Sequence, residues 1–321
     1  MKYLNELAEG DRVSDIYLCK KAATLTTKTG KEYMSLTLMD KTANTDAKIW
    51  EPNSEGIGDF DDLDYIYISG DVTVFNGAPQ VNIRRLRRAD DGEYDPSDYL
   101  PMSPYDNDGM YNQLKNVTDT VKNPFLNRLL KSFFIDDEAF INSFRKCSAA
   151  KTVHHGFVGG LMQHTLAVTR LCKFYTKAYH VLDHDLLISA SMLHDIGKVR
   201  ELSQFPENDY TDDGQLLGHI YMGAEMIAAR ANEIEGFPEK LLSELQHCIL
   251  AHHGDLEFGS PKTPELIEAF ALHMADNTDA KLETFTEAVN GKEPGKWLGL
   301  NRPLGGNIRR TTEWTGKEEG T

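Results

Sequence analysis

Residues 190–200 read ASMLHDIGKVR, an apolar helical run that ends in His194-Asp195, passes through Ile196-Gly197 and reaches Lys198. A helix that stops near a glycine is ordinary. One whose last turn carries an imidazole, a carboxylate and an ammonium holds the groups of a metal or acid–base site. The dipeptide alone decides nothing, because His184-Asp185 repeats it directly after Asp183, where it reads as a solvated helix start. Partners at helical spacing decide. His164 continues a stripe with Val168, Leu171 and Tyr175, and His194 follows Leu187, Ala190 and Ser191. His219 leads into Met222, Gly223 and Met226, and His252 ends the stripe Leu241, Leu245, Cys248, Ile249. Asp276 shares a face with Ala269, Leu272, His273 and Ala280. Five helices each aim a His or an Asp at the core. A single histidine of this kind is more often a hydrogen-bonded core residue than a ligand. Several imidazoles and two carboxylates together carry a heavy desolvation cost, and a bound divalent metal compensates it.

The rest of the chain must position these groups. Its 321 residues, 40% hydrophobic and 26% charged, fit a soluble globular protein of one or two domains. No apolar run approaches the roughly 18–20 residues needed to cross a bilayer, and MKYLNELAEGDRV has no apolar centre of a signal peptide. The four cysteines are scattered with no CxxC pair, as expected of reduced thiols in a cytoplasmic protein. A net charge of −16 argues against holding duplex DNA by bulk electrostatics. It leaves open a nucleic-acid enzyme with divalent metals and a local basic patch.

The predicted fold class is multidomain, β followed by all-α. Residues 1–90 read as five strands: Arg12–Thr26, Tyr33–Met39, Asp46–Trp50, Tyr65–Phe75 and Pro79–Arg84. Alternation marks the second, and Asn76-Gly77 marks a hairpin between the last two. Five strands at this spacing suggest a small closed barrel. Residues 91–109, rich in Asp, Pro, Gly and Ser, read as an extended linker. Residues 110–300 read as helices, over Met110–Val121, Pro124–Phe134, Asp137–Ala149, Leu161–Tyr179, Asp185–His194, His219–Ile234, Glu239–His252 and Pro264–Val289. Residues 301–321 read as a tail with no assigned structure.

The strand order resembles the OB-fold of nucleic-acid-binding proteins, which stack bases on aromatics beside a basic groove. The resemblance makes Tyr33, Trp50, Tyr67 and Phe75 candidate stackers, and Arg84, Arg85, Arg87 and Arg88 candidate phosphate contacts. The bland alternative is aromatics that fill the barrel and arginines at a solvated strand end. In the second half, His164…His194-Asp195…Asp276 resembles the HD-domain superfamily of metal-dependent phosphohydrolases. The added His219 and His252-His253 look like its binuclear members. HHGFVGGLMQHT (154–165), HDIGK and ALHMADNTDAK (271–281), placed behind an OB-like domain, are similar to the YhaM family of 3′→5′ exoribonucleases. That similarity spans essentially the whole chain; Gln163 departs from it, where an acidic residue would be expected before the histidine.

The resemblance implies one metal on His164, His194, Asp195 and Asp276, and a second on His219, His252 and His253, with Asp195 bridging. The His/carboxylate mix suits Mn²⁺, Fe²⁺, Co²⁺ or Ni²⁺ better than Mg²⁺, and the family favours two Mn²⁺. Such a pair acidifies water into a nucleophile and neutralises phosphate charge. Lys198 would hold the phosphate or stabilise the leaving oxygen; otherwise it is a helix C-terminal cation favoured by the dipole. His154 and His155 would contact phosphate or the terminal nucleotide, or be plain loop histidines. His273 is a candidate outer contact, and His180, His184 and His247 read as structural. The implied function is a metal-dependent 3′→5′ exoribonuclease on single-stranded RNA, or single-stranded DNA, releasing nucleoside 5′-monophosphates, with no membrane partner and a homo-oligomer left open. A second reading is an HD phosphohydrolase for a cyclic dinucleotide or nucleotide, which also carries HDIGK but needs no barrel and commonly has GYP after the histidine pair. A third is a non-enzymatic single-strand binder, against which the complete ligand set speaks.

Overall fold

The structure is a computed structural model, and it describes residues 1–151 and 155–313 apart from the side chain of Phe258. His154, expected at the substrate, lies outside the described residues. The chain divides into two compact units, one of Met1–Met102 with Phe205–Glu207 and a second of Ser103–Gln204 and Asn208 onward.

The first unit is a closed barrel of β1 (Arg12–Thr26), β2 (Glu32–Met39), β3 (Asn44–Ile49), β4 (Tyr65–Phe75) and β5 (Ala78–Arg88). The order around the barrel is β1-β2-β3-β5-β4, antiparallel throughout except for the parallel β3–β5 pair. This is the OB connectivity. Alternation fills the interior with Val13, Tyr17, Leu36, Leu38, Ile49, Ile66, Ile68, Val72 and Val81. The strand β5 runs four residues past its expected end at Arg84. The reason is a bulge: Ile83 pairs with Gly70 and Arg85 with Ser69, so Arg84 is the extra residue. The inward face then shifts by one, from Ile83 to Leu86, and both Arg84 and Arg85 are left outside.

The segment 91–109 is not the extended linker its composition suggests. Tyr94 stacks on Tyr65 with ring centroids 3.9 Å apart, and Tyr99, buried, meets Tyr65 edge-on at 5.1 Å. Asp98 accepts from Tyr3 Oη and pairs with Lys41, each at 2.8 Å. Aromatic burial therefore outweighs the self-repulsion of its acidic residues, and the barrel unit reaches Met102.

The second unit is helical. Its elements are α1 (Asn107–Thr118), α2 (Pro124–Phe134), α3 (Glu138–Lys146), α4 (Gly160–Ala178), α5 (His184–Leu193), α6 (Lys198–Glu201), α7 (Asp212–Asn232), α8 (Glu239–Leu250) and α9 (Ile267–Val289). The caps explain the starts: Asp106, Asn123, Asp137, Asp183 and Thr211 each accept a first-turn backbone N–H. Helix α5 is buried along nearly its whole length and packs on α4, α8 and α9. It is the axis for α4, α8 and α9, while α7, which carries His219, packs on α6 and α8. A hairpin, β6 (Trp297–Asn301) antiparallel to β7 (Gly306–Arg309), spans the expected boundary at residue 300, so the end of the stretch read as helical is a strand and the expected tail carries its partner. Among the described residues no helix is long and apolar enough to cross a membrane.

The second His-Asp pair is not a solvated start. Asp185 Oδ2 accepts from Lys122 N at 2.8 Å and Asn123 N at 2.6 Å, clamping the entry of α2 onto α5. His184 stays part-exposed, and His247 Nε2 accepts from Glu265 N at 2.9 Å as a structural group.

Candidate metal centre

Helix α5 ends at Leu193 and delivers His194 as its cap. The next turn carries Asp195, and Gly197 brings the chain against α7: a Cβ at Gly197 would lie 2.0 Å from the His219 carbonyl oxygen. Only glycine permits that approach. Helix α7 is broken at Gly218 (φ 74, ψ 155), which turns His219 inward.

The result is a convergence on Asp195, which is 2% exposed. Its Oδ2 faces Nε2 of His164 and of His194, each at 3.4 Å. Its Oδ1 faces Nε2 of His219 at 3.5 Å and of His252 at 3.6 Å. Asp276 Oδ1 lies 3.1 Å from His164 Nε2. Ligand-capable atoms of His164, His194 and Asp276 lie within 4.8 Å of one another, as do those of His219, His252 and His253. All seven residues expected as ligands are therefore brought together, in two trios on opposite oxygens of one carboxylate.

The donor set fits cations between these groups. His164 Nε2 and His194 Nε2 approach to 3.2 Å, yet each ring already directs Nδ1 at an acceptor, Asp279 Oδ2 and Ser191 O respectively. Neutral rings so held would oppose two lone pairs. Among the described residues, Asp195 Oδ1, His219 Nε2 and His252 Nε2 are buried without a hydrogen-bond partner, an arrangement that costs free energy unless something charged binds there. The carboxylates and imidazoles shift one another's titration. Burial pushes the His164 pKa down, but Asp276 and Asp279 outweigh it and lift the ring to about 9. Burial would raise the Asp195 carboxyl, but the Lys198 ammonium and the imidazoles hold it well below the usual carboxylate range. Asp276 is lowered in the same way, with burial opposed by His164 first. His252 is lowered, chiefly by burial.

Other expectations fare differently. Lys198 opens α6 instead of closing a helix, so the dipole reading does not apply; its Nζ donates to Asp195 Oδ2 at 2.6 Å. His155, expected at the substrate, is 1% exposed and spends Nε2 on Asp279 Oδ2 at 2.9 Å. Its left-handed backbone (φ 59) turns the ring inward, behind His164. His273 Nδ1 donates to the His252 carbonyl oxygen at 2.9 Å, an outer contact through the backbone. Gln163 accepts from Ser103 Oγ and is turned away from the cage. The carboxylate behind His164 is Asp279, three residues past Asp276 on α9, and the one behind His219 is Glu201; neither was singled out from sequence. Spacing from Asp276 offered a signal for Asp279. Glu201 gave none, since its contact with His219 exists only in three dimensions.

On the barrel, Tyr33 and Trp50 stack with centroids 5.1 Å apart, and Trp50 is 46% exposed with Nε1 donating to Asn82 Oδ1. A groove of about 670 Å³ runs from Trp50 past Asn82 to Arg84 and Arg85. Arg84, Arg87 and Arg88 pair with Asp71, Glu93 and Asp64, while among the described residues Arg85 has no acidic partner. Tyr67 lies under the Arg87 guanidinium, and Phe75 stands exposed at the end of β4.

Residues 161–281 match the HD domain family. A 3′-5′ exoribonuclease YhaM from Halalkalibacterium halodurans (strain C-125) is 34% identical over 289 residues, covering 90% of this chain and 89% of the relative. Another, from Shouchella clausii (strain KSM-K16), is 35% identical over 290 residues with the same coverage. The chain belongs to the YhaM family of 3′-5′ exoribonucleases. The HD domain brings with it dependence on a divalent metal, and this member of the YhaM family gathers metal-capable groups in the two trios and in a third set that shares His164, made of His155, His164 and Asp279. A solved second OB-fold domain of replication protein A from Methanococcus maripaludis is 16% identical, covers 28% of this chain and 96% of its own, and aligns at a TM-score of 0.23. The OB assignment of the YhaM-type barrel rests on its strand order.

Proposed function

We propose that the protein is a divalent-metal-dependent 3′→5′ exoribonuclease that shortens single-stranded RNA and releases nucleoside 5′-monophosphates, with single-stranded DNA as a second substrate. The observation that carries this reading is Asp195, whose two oxygens face two separate groups of imidazoles. His164, His194, Asp195 and Asp276 would hold one cation; His219, His252 and His253 would hold another, with Asp195 shared. The nitrogen-rich set favours Mn²⁺ over Mg²⁺. Bound there, the pair supplies acidity that makes water nucleophilic near neutral pH and charge that offsets the phosphoryl oxygens. Hydrolysis breaks the P–O3′ bond: oxygen from water joins phosphorus and a proton ends on O3′.

The chain's own groups do the rest. Lys198 keeps a positive charge against Asp195, and that charge would serve the phosphoryl group or the departing O3′. The Tyr33–Trp50 pair, with Trp50 exposed and Tyr33 half-buried, offers π-faces for unpaired bases, and Arg84 and Arg85, both outward because of the bulge, offer phosphate contacts. The four cysteines, all free and buried, are consistent with work in the cytoplasm.

The test is product analysis. In Mn²⁺, 5′-labelled RNA should shorten in single-nucleotide steps while nucleoside 5′-monophosphate accumulates, and chelator should stop it. Internal fragments, or nucleoside 3′-monophosphates, would contradict the proposal.

A further inference from the structure

Four of the cage imidazoles are held from behind, and the holders come in two matching pairs. His194 Nδ1 donates to the Ser191 carbonyl oxygen at 2.8 Å, and His252 Nδ1 to that of Ile249 at 2.6 Å, each three residues earlier in the chain. His164 Nδ1 donates instead to Asp279 Oδ2 at 2.7 Å, and His219 Nδ1 to Glu201 Oε1 at 2.9 Å. Each trio thus contains one ring backed by main chain and one backed by a carboxylate. Both carboxylates are largely shielded from water and are tied down further. Asp279 Oδ2 also accepts from His155 Nε2, and Glu201 Oε1 also accepts the backbone N–H of His219 at 2.9 Å. That N–H is available because the break at Gly218 removes its helical partner.

A carboxylate on Nδ1 fixes the proton there, leaves the lone pair on Nε2, stops the ring from turning and raises its basicity. The two carboxylates do this for different trios. The ring contacts of Asp279 are to His155 and His164, and that of Glu201 is to His219. We propose that Asp279 and Glu201 are positioning residues that separately set the affinity of the two cation positions, Asp279 for the His164/His194/Asp276 trio and Glu201 for the His219/His252/His253 trio. This rests on the metal reading above.

The experiment is calorimetric titration of Mn²⁺ into full-length, chelator-stripped protein, with free Mn²⁺ counted in parallel by its electron paramagnetic resonance signal. Wild type should take up two equivalents. Asp279→Asn should weaken one equivalent by about 10–100-fold and leave the other unchanged; Glu201→Gln should weaken the other by a similar factor. A His253→Ala background identifies them. There the remaining equivalent should be weakened by Asp279→Asn and untouched by Glu201→Gln. Gln and Asn keep an acceptor oxygen, so the apo proteins should melt cooperatively. Should Glu201→Gln fail to fold, Glu201→Asp, which keeps the charge at the wrong reach, carries the same comparison. A wild type that takes up no Mn²⁺ would sink the metal reading itself. A two-equivalent wild type whose folded variants weaken both positions alike, or neither, would overturn this proposal alone.

Discussion

Asp195 is buried with Lys198 on one oxygen and imidazoles on both. Removing its carboxylate takes away the group shared by the two trios. Asp195→Ala should lower RNA cleavage by about 10³-fold or more, on the scale of losing a main electrostatic stabiliser. The variant should still unfold in one cooperative urea transition, because the leucines and phenylalanines of the helical core are untouched. A broad, non-cooperative transition would mean that Asp195 is mainly structural. At this scale the sequence was informative wherever a candidate ligand extended an apolar stripe: His164 with Val168, or His252 after Cys248, is visible because a polar group on a buried face is anomalous. Glu201 was invisible as a functional group because acids on half-polar turns are commonplace, and Asp279 offered only its spacing of three from Asp276. Their meaning comes from rings 18 and 115 residues away.

Two elements are pinned by close contacts that make testable joints. At Gly197, α6 and α7 approach so closely that a Cβ would meet backbone, which cannot swing aside. Gly197→Ala should cost about 1–3 kcal/mol in denaturant unfolding, and it should weaken Mn²⁺ binding because His219 must move with its carbonyl. Unchanged stability would show that the helices slide apart freely. At the other end of α5, burial pushes the Asp185 carboxyl up, but His184 and the amides of Asn123 and Lys122 outweigh it and lower the pKa. Its charged form is therefore favoured by the fold. The stabilisation is complete above the unfolded value of about 3.9 and is lost as pH falls through the folded one. Asp185→Asn should be less stable than wild type by about 1–2 kcal/mol at pH 7, with the gap narrowing steadily as pH falls below about 3.9. A gap that does not narrow with falling pH would mean that shape, not charge, makes the clamp. Element positions were largely legible, since caps such as Asp183 and Asn123 announce helices locally. The β5 end was not. The bulge at Arg84 reverses the alternation, and a period-two reading stops where the period slips.

For the whole molecule, the proposed function predicts separable contributions from the barrel and the helical unit. Trp50→Ala removes the exposed member of the aromatic pair and should raise KM for long RNA by about 5–100-fold, as expected for losing one stacked base. Its kcat, and its turnover of a dinucleotide, should hold. A fall in kcat on the dinucleotide would show that the barrel acts on the chemistry. A truncation meant to isolate the helical unit belongs at Ser103, since a cut at residue 90 would strip Tyr94 and Tyr99 from the barrel. Composition pointed to a linker there because it counts acids and prolines but not which tyrosines meet. Cations that bind only the folded chain stabilise it by mass action, by about 2.7 kcal/mol per site at a hundredfold excess over Kd. Chelation should therefore lower the melting temperature and Mn²⁺ should restore it. The most direct measurement is anomalous diffraction at the manganese edge from crystals grown with Mn²⁺. Two peaks per chain should flank Asp195, one beside His164, His194 and Asp276 and the other beside His219, His252 and His253. A single peak away from Asp195, or none within reach of the two trios, would contradict the account.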